Sequence, residues 1–136
     1  MAAGAILVNL MTNLEERYGE QFDILPSIDV SFPEQDFTCD LGLFPPRQID
    51  WLNDLIRVEP PITAFEIVMP TETPERLTDA VRTHYFSNGV KSAWIIAPGQ
   101  RTVSLIYPDQ HAQLYTNGIV HDAVTGIELL LSEVFA

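Results

Sequence analysis

The chain has 136 residues, 46% of them hydrophobic, so it can bury a substantial core and does not have the composition of a disordered protein. Nineteen acidic residues against seven basic ones give a formal net charge of −12, and the bases form no run or stripe, which argues against tight binding of DNA or RNA. The sequence contains no run of eighteen apolar residues, which argues against a membrane-spanning helix.

The N-terminal residues and the cysteine content bear on the compartment. Residues 1–20 lack the basic leader of a secretion signal, and Asn9 interrupts their apolar run. The single cysteine, Cys39, excludes an internal disulfide and suits a reducing environment. We therefore expect a cytoplasmic protein that folds as one domain over residues 1–136.

The first predicted elements are a helix and a hairpin. Apolar residues recur at helical spacing over 3–18, and Gly19 is a natural stop. Alternating apolar and polar residues over 27–32 predict a strand, and 37–45 reads as a second strand that pairs back on it.

The middle of the chain alternates helices with an apolar strand. The spacing predicts a short helix over 46–58 and a buried strand over 62–69. Thr73, followed by a proline and an acid, is a helix start, and we expect that helix to end at Ser87.

The C-terminal third is predicted to consist mainly of strands. Two strands are expected over 92–97 and 102–107, and a further hairpin is expected across Asn117-Gly118, the strongest hairpin signal in the chain. Together with an apolar tail, this order of elements predicts an α/β sandwich whose central strands are covered by helices.

Two acids fall inside predicted strands. Glu66 sits between apolar neighbours, where burying an ionised carboxylate costs several kcal/mol unless a partner is supplied. Asp40 lies on the neighbouring predicted strand, and two carboxylates beside small residues are ligands that Mg²⁺ prefers. The other interpretation is that Glu66 is protonated or paired with an arginine such as Arg82. The residues by themselves leave both open.

Other reactive side chains give weaker signals. Cys39 is predicted to face away from Asp40, and a lone buried cysteine usually serves packing. His84, His111 and His121 show no metal-ligand spacing, so a zinc site is not expected.

The order of five segments resembles one known family. These segments are "CDLGLFP" (39–45), "PPITAFEIVMPTE" (60–72), "ERLTDAVRTHYFSNGV" (75–90), "KSAWIIAPGQRTVSLIY" (91–107) and "IELLLSEVFA" (127–136). From about residue 20 to the C-terminus, the chain is similar to the Uma-type (Uma-two) restriction endonucleases of the PD-(D/E)xK nuclease superfamily, which are abundant in cyanobacteria. The resemblance implies a restriction-endonuclease-like mixed sheet flanked by helices, with C-terminal β-hairpins, in a single domain.

The resemblance also implies roles for particular residues. Asp40 and Glu66 stand where the family has its two metal-binding acids, which in the superfamily hold Mg²⁺ or Mn²⁺. The family's lysine lies four residues before the tyrosine of the following helix, and counting back from Tyr85 gives Val81. Arg82 is adjacent but lies about 100° around the helix, and a guanidinium is a poor proton acceptor.

Three departures from the family pattern shape the predicted function. The lysine is missing, Cys39 replaces the usual proline before the first acid, and the relatives usually have an extra N-terminal portion. We expect a nuclease scaffold that has lost its chemistry, needs no cofactor, and works as a protein-interaction or regulatory module in a homodimer or with a protein partner. The alternative is a Mg²⁺-dependent DNA endonuclease that uses Asp40 and Glu66, with a base relocated to Arg82 or supplied by a partner.

Overall fold

The structure is a computed structural model that describes residues 2–30, 37–46, 59–109 and 111–136. The helix predicted over 46–58 lies almost wholly outside the described residues. In chain order the elements are α1 (Ala2–Tyr18), β1 (Asp23–Val30), β2 (Phe37–Phe44), β3 (Thr63–Ile67), α2 (Pro74–Ala80), a π-helical turn (Val81–Tyr85), a 3-10 turn (Phe86–Asn88), β4 (Ser92–Ala97), β5 (Thr102–Ile106), β6 (Ala112–Tyr115), β7 (Ile119–His121), β8 (Glu128–Leu130) and α3 (Leu131–Val134).

Six strands form one mixed sheet in the order β1-β2-β3-β4-β5-β6. Only β3 and β4 run parallel among these neighbours, and the connection between them carries α2 and the two turns that follow it. Strands β7 and β8 form a separate antiparallel pair near the C-terminus. The predicted fold class, a mixed sheet flanked by helices with a C-terminal hairpin, is therefore confirmed.

Apolar side chains cover both faces of the sheet. On one face, Leu10 and Leu14 of α1 pack in a cluster with Phe65 and Trp94, and the C-terminal elements complete that layer. On the other face, a smaller cluster holds the helical residue Val81 together with sheet residues. The central strand β4 is buried along its whole length, which explains why its sequence is continuously apolar instead of alternating.

The predicted helix after Thr73 is present but is not uniform. The Thr73 side chain accepts a hydrogen bond from the backbone N–H of Arg76 at 3.3 Å, as expected of an N-cap. The chain leaves the helical segment at Gly89, whose φ of 101° is favourable only for glycine. Between these ends, Val81–Tyr85 widens into a π-helical turn, which the spacing of apolar residues did not predict.

The hairpin predicted across Asn117-Gly118 is wrong in its pairing. The chain does turn at Gly118, whose φ is 76°, but β6 pairs with β5 and β7 pairs with β8. The second pair is closed by residues 122–127, across which the backbone N–H of Asp122 donates to the carbonyl of Ile127 at 2.9 Å. The two strands flanking Gly118 thus belong to different sheets.

The remaining boundaries differ in smaller ways. The first strand of the hairpin starts at Asp23, earlier than predicted, and passes through Pro26. Proline is tolerated there because β1 is at the edge of the sheet. Within the described residues, no helix has the length and apolar character needed to cross a membrane.

Candidate functional site

The two predicted acids come together across neighbouring strands. Strands β2 and β3 are antiparallel, with Leu41 opposite Phe65 at the last regular pair. Continuing this register by one residue places Asp40 opposite Glu66, and residues opposite one another in an antiparallel pair project on the same face. The two carboxyl groups are therefore neighbours on one face of the sheet.

Asp40 is held by the sheet itself. Its Oδ2 accepts a hydrogen bond from the backbone N–H of Ile67 at 2.8 Å. The regular pairing of β2 with β3 ends at Leu41 and Phe65, before it reaches Ile67. The carboxylate oxygen of Asp40 therefore accepts the hydrogen bond that a backbone carbonyl of β2 would otherwise accept from the N–H of Ile67. One of the two Asp40 oxygens is therefore committed to stabilising the end of the ladder.

Glu66 is almost completely buried, with 7% of its surface exposed. Burial raises the pKa of its carboxyl group to about 8, and the neighbouring carboxyl of Asp40 adds to the rise. The Tyr85 hydroxyl donates a hydrogen bond to Oε1 of Glu66, which lowers the pKa but does not reverse the shift. At neutral pH most molecules therefore carry a proton on Glu66.

The π-helical turn presents an apolar and a phenolic side chain to this face of the sheet. Val81 is fully buried and Tyr85 nearly so, and both pack in one cluster with Ala64 and Ala93. A π-helical turn is wider than an α-helical one, so it changes the angular spacing between the first and last of these residues. Burial raises the pKa of the Tyr85 hydroxyl far above its ordinary value, so this group stays a hydrogen-bond donor.

Arg82 lies away from the acids. It is exposed and lines an open groove that it shares with Thr78 and Ser104. No ion pair joins Arg82 to Glu66, although the structure describes both side chains. Of the interpretations that the sequence left open for Glu66, protonation fits this geometry and pairing with Arg82 does not.

Cys39 is packed and unreactive in this position. The residue is fully buried, and burial raises the pKa of its thiol to about 12, with further contributions from the carboxyl groups of Glu66 and Asp40. A thiol in such surroundings stays protonated, which agrees with a packing role for the single cysteine.

The two carboxyl groups are of the right chemical type to bind a divalent cation, but their oxygens already make other hydrogen bonds. Carboxylate oxygens are suitable ligands for Mg²⁺, but Oδ2 of Asp40 already accepts a hydrogen bond from a backbone N–H, and Oε1 of Glu66 accepts one from the Tyr85 hydroxyl. Within the described ranges, no group of three or more His, Cys, Asp or Glu side chains is placed to hold a metal ion. In this arrangement the pair does not offer a ready set of ligands to a divalent cation.

A second buried acid was missed by the sequence analysis. Asp122 is fully buried, and its Oδ2 accepts hydrogen bonds from Ser92 Oγ at 2.7 Å and Trp94 Nε1 at 2.9 Å. Its Oδ1 accepts from the backbone N–H of Val124 at 2.9 Å. These bonds anchor the segment between β7 and β8 to the central sheet. The only signal in the sequence was a polar residue at the start of the apolar strand β4.

Comparisons with known proteins identify the fold. No family model matches the sequence, and no curated protein matches it. Among the solved structures that match is a protein from Anabaena variabilis ATCC 29413, described as "a putative nuclease belonging to DUF820". The match has a TM-score of 0.83 and 17% sequence identity, and it covers 99% of this chain and 80% of that one. At this identity, the likeness shows that the two chains share a fold.

Proposed function

We propose that this chain is a restriction-endonuclease-fold protein that does not cleave nucleic acid and acts in the cytoplasm by binding protein, as a homodimer or with a different partner. The observation that carries the proposal is the closed state of the acidic pair. Glu66 is buried and accepts a hydrogen bond from Tyr85, burial raises the pKa of its carboxyl group to about 8, and Val81 occupies the position where the Uma-type resemblance expects lysine.

Metal-dependent cleavage would require this pair to open. A cation at Glu66 would have to displace its proton and compete with the Tyr85 hydroxyl, and metal binding that releases a proton becomes weaker as the pKa of the ligand rises. The aliphatic side chain of Val81 supplies no charge to a transition state. Loss of one preorganised electrostatic group commonly lowers a rate by about 10²–10³.

The charge of the chain supports the same proposal. A net charge of −12 repels polyanionic substrates, and of the basic residues that the structure describes, Arg17 forms an ion pair with Glu133. Exposed apolar side chains support a protein partner instead. Ile119 and Leu130 face one another across β7 and β8 and are 53% and 43% exposed, respectively.

A cleavage assay tests the first half of the proposal. We would incubate supercoiled plasmid, single-stranded DNA and RNA with the wild-type protein and with Glu66→Gln in millimolar Mg²⁺ or Mn²⁺. We expect neither protein to cut above the buffer control. Cleavage by the wild type that disappears in Glu66→Gln would contradict the proposal.

A gain-of-function variant asks whether the missing lysine is what silences the site. Val81→Lys places an ammonium group on the helical segment that packs over the acids, and Val81→Met is the matched uncharged control. We expect cleavage only in the lysine variant and only while Glu66 is intact. Equal cleavage by both variants would show that the lost charge is not the reason.

The second half of the proposal concerns partners. Light scattering coupled to gel filtration measures the mass of the particle, and affinity purification from the native host identifies stable partners. We expect either twice the mass of one chain or a stoichiometric partner. A monomer that purifies without any partner would contradict the interaction role.

One observation favours a second candidate function, a Mg²⁺-dependent DNA endonuclease. Asp40 and Glu66 lie opposite one another in the register, and Asp40 is only half-buried, so a cation could reach one of its oxygens. This candidate needs a partner's lysine to complete the site, because Arg82 lies away from the acids. It predicts that calorimetry detects binding of Mn²⁺ to the wild type but not to Asp40→Asn. It also predicts that the wild type cleaves DNA and that Glu66→Gln does not.

A further inference from the structure

An open cavity of about 490 Å³, lined mostly by exposed residues, lies away from the acidic pair. It is bordered by Lys91, which directly precedes β4, by the end of β5 and the strand β6, and by the segment that follows β7. Ser92 pairs with Thr63 at the start of β3, whereas Glu66 pairs with Ile95 nearer the other end of these parallel strands. The cavity is therefore separate from the candidate site described above.

Two tyrosines form walls that are fixed by hydrogen bonds. The hydroxyl of Tyr107 accepts from the backbone N–H of Ala123 at 3.1 Å, and the hydroxyl of Tyr115 donates to the carbonyl of His121 at 3.2 Å. The first bond joins the β5–β6 hairpin to the segment after β7, and the second joins this hairpin to the last residue of β7. The same segment is anchored to the core through the buried carboxylate of Asp122. These bonds fix the positions of the two tyrosine side chains that border the cavity.

The lining combines aromatic faces with cationic or ionisable groups. The ring of His111 lies against that of Tyr107, with centroids 5.9 Å apart, and His121 lines the same space. Lys91 adds an ammonium group to the lining. Asp109 is the one acid among the lining residues, and its Oδ1 accepts a hydrogen bond from the backbone N–H of His111. Lys91 is the one formal cation of this lining, and Nδ1 of His121 lies 3.7 Å from Oε1 of Glu128.

We propose that this cavity binds a small ligand that combines a planar ring with an anionic group. Aromatic side chains stack on planar rings, and an ammonium group holds a carboxylate or phosphate as a point charge. The volume lies within the range of about 300–1,000 Å³ that small-molecule sites occupy. A nucleoside monophosphate and an aromatic carboxylate share this chemistry, and the experiment separates them.

The test uses four probes on the full chain. Adenosine 5′-monophosphate and 2-naphthoate carry both features, adenosine carries only the rings, and inorganic phosphate carries only the anion. Binding is followed by NMR through the ring signals of His111 and His121, which report on location as well as affinity. We expect at least one of the two complete probes to bind with a Kd of about 1 mM or lower, and at least about tenfold tighter than either partial probe.

Variants tie the binding to the cavity. Lys91→Gln is expected to lower the affinity for the complete probe about tenfold. The matched control Arg76→Gln, which removes an exposed cation from α2, should leave this affinity unchanged. Tyr107→Phe removes the hydroxyl that holds Ala123 and is expected to weaken binding while the protein stays folded. The proposal is overturned if no complete probe shifts these histidine signals, if phosphate alone binds as tightly, or if Lys91→Gln binds like the wild type.

Discussion

Replacing Glu66 by glutamine should change how stability depends on pH. Glutamine keeps the shape of the side chain and an oxygen that can accept the Tyr85 hydroxyl, but it removes the ionisable group. The pKa of Glu66 rises from 4.5 to about 8 on folding, so the unfolded chain loses this proton first as the pH increases. The free energy of unfolding of the wild type therefore decreases as the pH rises from 4.5 to about 8.

The size of the effect follows from the shift. Integrating the proton linkage from pH 4 to pH 8 gives a loss of about 4 kcal/mol of wild-type stability from this one group. Glu66→Gln lacks that loss, so its free energy of unfolding relative to wild type should rise by about 4 kcal/mol over the same interval. The difference between the two free energies of unfolding cancels the contributions of the other titrating groups, which both proteins share.

The assay is urea unfolding followed by tryptophan fluorescence at pH 4, 6 and 8. Glu20→Gln, which changes an exposed glutamate, is the matched control and should follow the wild type within about 0.5 kcal/mol at each pH. A difference between Glu66→Gln and wild type that is the same at all three pH values would refute the reasoning, because it would mean that Glu66 titrates alike in the folded and unfolded chains.

Three further predictions use the same unfolding measurements or a thiol reagent. Tyr85→Phe should destabilise the fold by about 1–2 kcal/mol and should raise the pKa of Glu66 further, because the lost hydrogen bond lowered it; an unchanged midpoint in urea would contradict this. Asp122→Ala should cost about 1–3 kcal/mol, since it leaves the buried Nε1–H of Trp94 without its acceptor, and a loss below about 0.5 kcal/mol would contradict the anchoring role. Cys39 should react with a disulfide reagent at pH 8 about a thousandfold more slowly in the folded than in the unfolded chain; equal rates would show that the thiol is accessible.

The acidic pair could be predicted from the sequence because strand periodicity is local and regular. Alternation puts Asp40 and Glu66 on definable faces, and the order of strands makes them neighbours. What the sequence left open was the protonation of Glu66. That depends on how deeply the strand is buried and on a hydroxyl contributed by Tyr85 from a helical segment nineteen residues later.

Two features escaped sequence reasoning for a physical reason. The turn at Gly118 is specified by local backbone preference, but the partner of each flanking strand is decided by contacts elsewhere in the chain. Asp122 belongs to no periodic pattern, and its hydrogen-bond donors come from a strand about thirty residues earlier. Long-range satisfaction of a buried carboxylate is not visible in residue spacing.

The most direct test of the closed acidic pair is a ¹³C NMR titration of the Glu66 carboxyl carbon, with and without millimolar Mg²⁺. Glu66→Gln assigns the signal by its disappearance. The account predicts a midpoint at about pH 8 that Mg²⁺ leaves unchanged. A midpoint near 4.5, or one that Mg²⁺ lowers by a full pH unit or more, would show an ionised, metal-binding carboxylate and would contradict the proposal of a silent nuclease fold.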